Sequence, residues 1–463
     1  MLGVGPVNPV WRKARVFVGV LALLSGMLPH QPATAQRTVS LIRDAEIEDT
    51  IRAYAAPVFA AAGLESASVS VHLIGDPALN AFVAGGQRIF VHTGLLMSGE
   101  TPAQVIGVLA HETGHIAAGH LARAHDAMRG AAAAMIAAMV LGAVAVAAGA
   151  GDAGVAAVIG GSSMAERGFL AFSRTQEASA DQAALSYLER TQQSARGLVE
   201  VLQKLGDQEA LQSSRQDPYI RSHPLSRDRM NFIEGHIARS PYSDAPPRPE
   251  FVERHARMRA KLFGFLDPPA RTLRRYPEGD VSLPARYARA IAHHRAGRTA
   301  EALAEIDALV AAHPGDPYFH ELRGQIRMES GDPKGAVPDY REARRLAPKS
   351  ALLASDLGKV LIATEDDANI KAAVEHLVFA TRGDPTDPQA WYHLSVAQGR
   401  TGEIGLANLA SAERALLQGQ YVQAREMARR AMGRLSEGSP GWLRAQDLEG
   451  EAIRLRQNQQ QGR

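Results

Sequence analysis

Between Leu41 and Gly63 the apolar positions Leu41, Ile47, Ile51, Tyr54, Ala55, Val58 and Phe59 return at helical spacing and Gly63 supplies a stop, which predicts an amphipathic helix. The period then changes. Ser68 to Ile74 alternates and is β-branched, and Arg88 to His92 alternates again after the turn signal Gly85-Gly86, which predicts two short strands of a small sheet. Thr101-Pro102-Ala103-Gln104 combines a capping-box pattern with proline at the first helical position, so a long helix is expected from there to about Met128. Two glycines inside it, Gly107 and Gly114, are each expected to cost about 1 kcal/mol. A further helix is expected from about Thr175 to Glu189, and the proline-rich stretch Pro241 to Pro249 opens a linker and connecting helix over 241–282.

The C-terminal part repeats itself. Gly297 and Gly331, Ala302 and Ala336, and Pro314 and Pro348 are each 34 residues apart, the period of the two-helix tetratricopeptide repeat. Ala373 and Pro385 continue the series at 37, which implies a three-residue insertion near Glu365-Asp366-Asp367. Ala407 resumes at 34, with Trp391 in the first helix of that unit, and Gly419 and Ala424 repeat the pair 17 residues on. An all-α solenoid over 283–455 is expected, with 456–463 as a disordered, glutamine-rich tail. Its concave groove suits peptides or partner proteins and suggests recruitment, not chemistry.

Two segments bear on where the chain works. Residues 1–35 read as a secretory signal: a basic stretch from Trp11 to Arg15, an apolar core from Val16 to Leu28, and Ala33-Thr34-Ala35 as the cleavage site, cut after about Ala35. That core is short of the roughly 20 residues that span a bilayer. Between Arg129 and Asp152 no charge occurs, but Ala and Gly dominate and contribute little transfer free energy. A hairpin over 130–165 lying on protein, or as a peripheral contact on a membrane surface, is therefore favoured over a span.

Composition narrows the class. The 463 residues hold 51 Lys+Arg against 49 Asp+Glu with 46% hydrophobic residues, which excludes a disordered polycation and predicts two or more domains. Taking Arg12, Lys13 and Arg15 away with the leader leaves 48 basic against 49 acidic residues, so no nucleic-acid partner is expected. The absence of cysteine forbids disulfides and a lipid at the cleavage site.

The candidate chemistry lies in the long helix, at His111-Glu112-Thr113-Gly114-His115. The i, i+4 spacing puts both imidazoles on one face at a separation suited to one Zn²⁺. Glu112 would flank the metal, where it can take a proton from a water whose pKa the metal lowers and deliver it to the leaving amine. A catalytic zinc needs a third protein ligand, and Glu177 on the next helix supplies a carboxylate. Asp181, four residues on, can accept the outer N–H of His111 and orient it. His120 should face away from the metal, and His125 lies roughly 15–20 Å along the axis, so both read as structural. His72 and His92 read as sheet residues.

The His111–His115 and Glu177–Asp181 motifs come with Asn80-Ala81-Phe82, Gly85-Gly86, Gly94-Leu95-Leu96 and His223-Pro224-Leu225-Ser226-Arg227-Asp228-Arg229. Together they resemble family forty-eight of the metallopeptidases over most of residues 40–235. The resemblance implies an α+β zincin-type metallopeptidase domain, mainly helical with a small β-sheet, over 36–240, with one Zn²⁺ per chain held by His111, His115 and Glu177. With a leader in front and repeats behind, the chain is similar to periplasmic members of Gram-negative bacteria that degrade misassembled outer-membrane proteins and assist their assembly. The implied partners are unfolded or misassembled proteins and, through the repeats, the outer-membrane β-barrel assembly machinery. By the same resemblance His223 stabilises the oxyanion or swings onto the zinc as a latch, and Arg229 orders its loop.

The segment Val83 to Val91 could be the sheet edge that holds an extended substrate by strand addition. Two other readings compete with the protease. One is a repeat-based chaperone or assembly scaffold whose metal site is latched and rarely used. The other is a membrane-embedded protease of the prenyl-protein type, which requires stable insertion of 130–165 and so would resist carbonate extraction.

Overall fold

The computed structural model describes residues 40–123, 172–211 and 223–461, with isolated helical positions between 126 and 140. The segment expected to be a leader, His125, most of the 130–165 segment expected to form a hairpin, and the last two residues lie outside the described residues.

A four-stranded sheet of order β1-β2-β4-β3 opens the fold, built from β1 (Leu41–Ile42), β2 (Ser70–Ile74), β3 (Ala81–Ala84) and β4 (Arg88–His92). β2 and β4 run parallel, with Val71 opposite Ile89, while β1 and β3 close the two edges antiparallel. Gly85 and Gly86, at φ 59° and 98°, make the β3–β4 turn that their sequence signals. Two of the four strands were not expected. Leu41 and Ile42 belong to a strand and not to the first helix, which begins only where Asp44 accepts the Ile47 N–H. The sheet edge is β3 and not the whole of Val83 to Val91, because β4 is paired on both sides.

Helices α1 (Ala45–Ala61), α2 (Thr93–Ser98) and α3 (Pro102–Ala117) pack on the sheet, α4 (172–190) and α5 (Arg196–Leu211) pack on α3, and α6 (Arg227–Ile237) packs on α5. Their shared core includes Ile51, Val58, Ile89, Val91, Leu95, Val105, Leu109, Leu198 and Leu202. The capping box expected at Thr101 is not made: the Thr101 side chain makes no cap bond, and Gln104 reaches one residue further back. The Gln104 side chain accepts from Glu100 N–H and donates to Glu200, so it ties α3 to α5. The glycines of α3 are crossing points and not merely tolerated: a Cβ at Gly107 would lie 2.8 Å from Leu198 N, and one at Gly114 would lie 2.9 Å from Ala180 O. These contacts bring α3 backbone-close to α5 and α4.

α3 also ends early. Ala118 caps it, Gly119 takes φ +64°, and helix resumes at His120. The expected run to Met128 overlooks that left-handed glycine, a conformation that stops a helix.

Helix α7 (Pro249–Leu266) and α8 (Pro269–Arg275) lead into five helical hairpins: α9 (Leu283–Arg295) with α10 (Thr299–Ala312), α11 (Pro317–Glu329) with α12 (Pro333–Leu346), α13 (Ala351–Ala363) with α14 (Asp367–Gly383), α15 (Pro388–Arg400) with α16 (Ile404–Leu417), and α17 (Tyr421–Met432) with α18 (Pro440–Gln461). Asp-Pro pairs start several of them: Asp316, Asp332 and Asp387 accept backbone N–H groups of the first turn while the following proline fills the first helical position. Gly297, Gly331 and Glu365 sit at the hairpin turns with φ 72°, 91° and 58°, still 34 apart. The three extra residues are therefore not in the Glu365 turn but in α14, which has 17 residues against 14 in α10 and α12. The glutamine-rich tail is helical to Gln461, because α18 is anchored by buried Ala445, Leu448 and Ala452 and its polar end is made of good helix formers.

A buried ionic cluster joins the hairpins to the first part of the chain. Lys261 on α7 reaches Asp44 at 2.8 Å and Glu321 at 3.4 Å, and Arg257 reaches Glu46 at 2.7 Å and Asp316 at 2.5 Å. The Tyr287 hydroxyl donates to Glu46 at 2.7 Å.

Candidate metal centre

α3 presents His111 and His115 one turn apart, and α4 crosses it at Gly114 so that Glu177 faces both. Nε2 of His111 lies 3.1 Å from Nε2 of His115 and 3.3 Å from Glu177 Oε2, and His115 Nε2 lies 3.4 Å from Glu177 Oε1. His223 adds Nδ1, 3.1 Å from both Glu177 oxygens and 3.3 Å from His111 Nε2. The four residues offer one donor atom each, all within 4.8 Å of one another. A tetrahedral zinc with bonds of about 2.0–2.1 Å sets its donors about 3.3 Å apart. The spacing and the three-imidazole, one-carboxylate donor set thus fit that ion.

The outer atoms are held as well. His111 Nδ1 lies 2.9 Å from Asp181 Oδ1, and both Asp181 oxygens accept from Arg229, at 2.6 and 2.9 Å. Arg229 also reaches Glu177 Oε2 at 3.0 Å and the Pro224 carbonyl at 2.9 Å, which fixes the start of the His223 segment. His115 Nδ1 meets His120 Nδ1 at 3.0 Å. The sequence placed His120 on the far face; the Gly119 turn brings it back. A glycine within the predicted helix was the signal that could have located it.

Electrostatics follow from burial and these pairs. Burial disfavours the His111 cation, but the Asp181 and Glu177 carboxylates outweigh it and hold the imidazole up at about 10. His115, where burial dominates, falls to about 3. Glu177 is held far below the usual carboxylate range: burial opposes ionisation, yet His223, His111 and His115 more than offset it. Asp181 is lowered for the same reason by His111 and Arg229 against burial. Burial raises Glu112, whose two oxygens find no hydrogen-bond partner among the described residues. One of them lies 3.4 Å from His223 Nε2. A fully buried carboxylate that makes no hydrogen bond among the described residues and stands beside a donor cluster suits a base for a small polar reactant.

His72 and His92 lie in β2 and β4. His72 pairs with Ser70 Oγ at 3.0 Å, and His92 is buried 3.8 Å from Asp76.

Residues 42–237 match the model described as peptidase family M48, and residues 270–317 and 287–351 match the tetratricopeptide repeat. The chain carries a family M48 peptidase domain followed by tetratricopeptide repeats. A β-barrel assembly-enhancing protease of Yersinia pestis is 26% identical over 376 residues, covering 80% of this chain and 75% of its own length. The β-barrel assembly-enhancing protease of Escherichia coli K12 is 25% identical over 376 residues, covering 79% and 75%. A solved tetratricopeptide-repeat protein, YrrB, aligns over 38% of this chain and 91% of its own at 19% identity and a TM-score of 0.31. The family model and these relatives support a metallopeptidase.

Proposed function

We propose that this chain is a zinc metalloendopeptidase that cleaves unfolded or misassembled envelope proteins in the periplasm, exported by cleavage after about Ala35. The observation that carries the reading is the convergence of His111, His115 and Glu177 beside the buried Glu112, which makes no hydrogen bond among the described residues. Zinc bound by those three residues supplies Lewis acidity to a water and to the scissile carbonyl. Glu112 takes the proton from the attacking water and passes it to the leaving amine, and its raised proton affinity suits both steps. Asp181 orients His111, and Arg229 holds Asp181 and the His223 segment in register. Zinc is favoured over other divalent ions by the ligand types. β3, one of the two edge strands, would hold the substrate backbone by strand addition, which reads little side-chain information and suits broad specificity. The repeats would recruit substrates or the outer-membrane β-barrel assembly machinery.

A second reading has an observation of its own. His223 Nδ1 stands among the donors as a fourth ligand atom, the third nitrogen beside the Glu177 oxygen, and a site so closed lacks the open position that catalysis needs. A latched protein would act mainly as a chaperone or scaffold until His223 leaves.

The experiment is cleavage of an unfolded test protein by the purified chain, with and without a zinc chelator. Chelator-sensitive cleavage restored by zinc supports the peptidase. Partner binding without any metal-dependent cleavage supports the scaffold. Among the described residues no helix is long and apolar enough to cross a membrane.

A further inference from the structure

In an unbroken helix His120 would stand nine residues beyond His111, about half a turn round from the metal face. The chain does not run that way. Ala118 N–H bonds the Gly114 and Ile116 carbonyls, Gly119 takes φ +64°, and His120 begins a new helical stretch. Its ring turns back onto His115, with centroids 4.9 Å apart, planes at 75°, and Nδ1 to Nδ1 at 3.0 Å. His120 is only 5% exposed, and its carbonyl accepts from Gln176, the residue before Glu177, at 3.2 Å.

We infer that His120 is a positioning residue for metal binding, the acceptor that fixes the tautomer and ring orientation of His115. The inference rests on the metal-site reading above. His115 aims Nε2 at Glu177 and His111, so a ligand lone pair must lie on that nitrogen and the proton on Nδ1. A buried N–H needs an acceptor, and His120 Nδ1 stands at hydrogen-bond distance. His120 then carries its own proton on Nε2. The arrangement parallels Asp181 on His111, with a neutral imidazole in place of a carboxylate held by arginine. A neutral acceptor orients His115 without adding a second negative charge beside Glu177.

The test uses the purified chain stripped of metal, with Zn²⁺ affinity measured by chelator competition, the Co²⁺ absorption spectrum, and thermal unfolding with and without Zn²⁺. His120→Ala and His120→Phe remove the acceptor, and Phe keeps a ring in the space should Ala fail to fold. Both are expected to weaken Zn²⁺ binding about 10–100-fold, to alter the Co²⁺ bands, and to leave metal-free unfolding unchanged while the Zn²⁺-dependent rise shrinks. His120→Asn, which offers Oδ1 as acceptor, is expected to recover most of the affinity. Wild-type affinity and Co²⁺ bands in His120→Phe overturn the inference, as do equally weak Asn and Phe variants or an equal loss of metal-free stability. His111→Ala separates the two readings: if it still binds Zn²⁺ as wild type does, the metal site itself is wrong; if it loses Zn²⁺, a null result at His120 counts against His120 alone.

Discussion

Arg229 grips both oxygens of Asp181, Nε on Oδ2 at 2.6 Å and Nη2 on Oδ1 at 2.9 Å, with both side chains buried. The pair links α6, which begins just after the His223 segment, to the helix that carries Glu177. Removing Arg229 strands two buried carboxylates, Asp181 and Glu177, without their guanidinium. Arg229→Ala is expected to destabilise the fold by about 3–5 kcal/mol in urea unfolding, and Arg229→Lys to recover little because an ammonium cannot make the bidentate pair. Wild-type stability in Arg229→Ala would show the pair to be incidental.

The α3 glycines give a prediction that runs against helix propensity. Alanine is better than glycine in a helix by about 1 kcal/mol. Yet a Cβ at Gly107 meets the Leu198 backbone at 2.8 Å, and one at Gly114 meets Ala180 O at 2.9 Å. Gly107→Ala and Gly114→Ala should each lose about 1–3 kcal/mol by overpacking. Only Gly114→Ala should also weaken Zn²⁺ binding, since Ala180 adjoins Asp181 on the Glu177 helix. A stability gain in either variant would contradict the close crossing.

His255 predicts a pH dependence. Its Nε2 faces the Gly99 carbonyl at 2.9 Å, and burial lowers it to about 4 from an ordinary 6.5. The unfolded chain therefore binds a proton that the folded chain refuses. The associated stability is fully present above about pH 6.5 and is lost as pH falls toward 4, with a slope approaching about 1.4 kcal/mol per pH unit. His255→Gln should flatten the urea-stability profile in that window relative to wild type. Parallel profiles would remove His255 from the account.

Lys261 is 2% exposed among Asp44, Glu46 and Glu321. Lys261→Met leaves the half-buried Asp44 and Glu321 without their cation, while Glu46 keeps Arg257, and should cost about 3–5 kcal/mol. Adding Glu321→Gln should return part of the loss. Additive losses in the double variant would mean that the groups do not interact.

What the sequence disclosed follows the range of the forces involved. His111, Glu112 and His115 were legible because one helical turn decides their geometry. Glu177 and Asp181 required only a second helix, and the 34-residue period exposed the hairpins because small residues recur wherever paired helices meet. β1, two residues long, has no period to detect, and β3 hides between Asn80 and the glycine turn. His120 was placed on the wrong face because one left-handed residue, Gly119, resets the helical phase. The insertion was assigned to the Glu365 turn because that non-glycine residue breaks the glycine pattern, although it keeps the positive φ. The Lys261 cluster joins residues more than 200 positions apart, which no local pattern reports.

The most direct measurement compares cleavage of an unfolded test protein by the chain carrying His223→Ala with the same variant also carrying Glu112→Gln, with bound zinc quantified in both. The account predicts that the first cleaves and that the second, equally loaded with zinc, is slower by about 10²–10⁴-fold, the contribution of a positioned general base. Equal rates in the two, or zinc in both and cleavage in neither, would contradict a protease that uses Glu112 as its base.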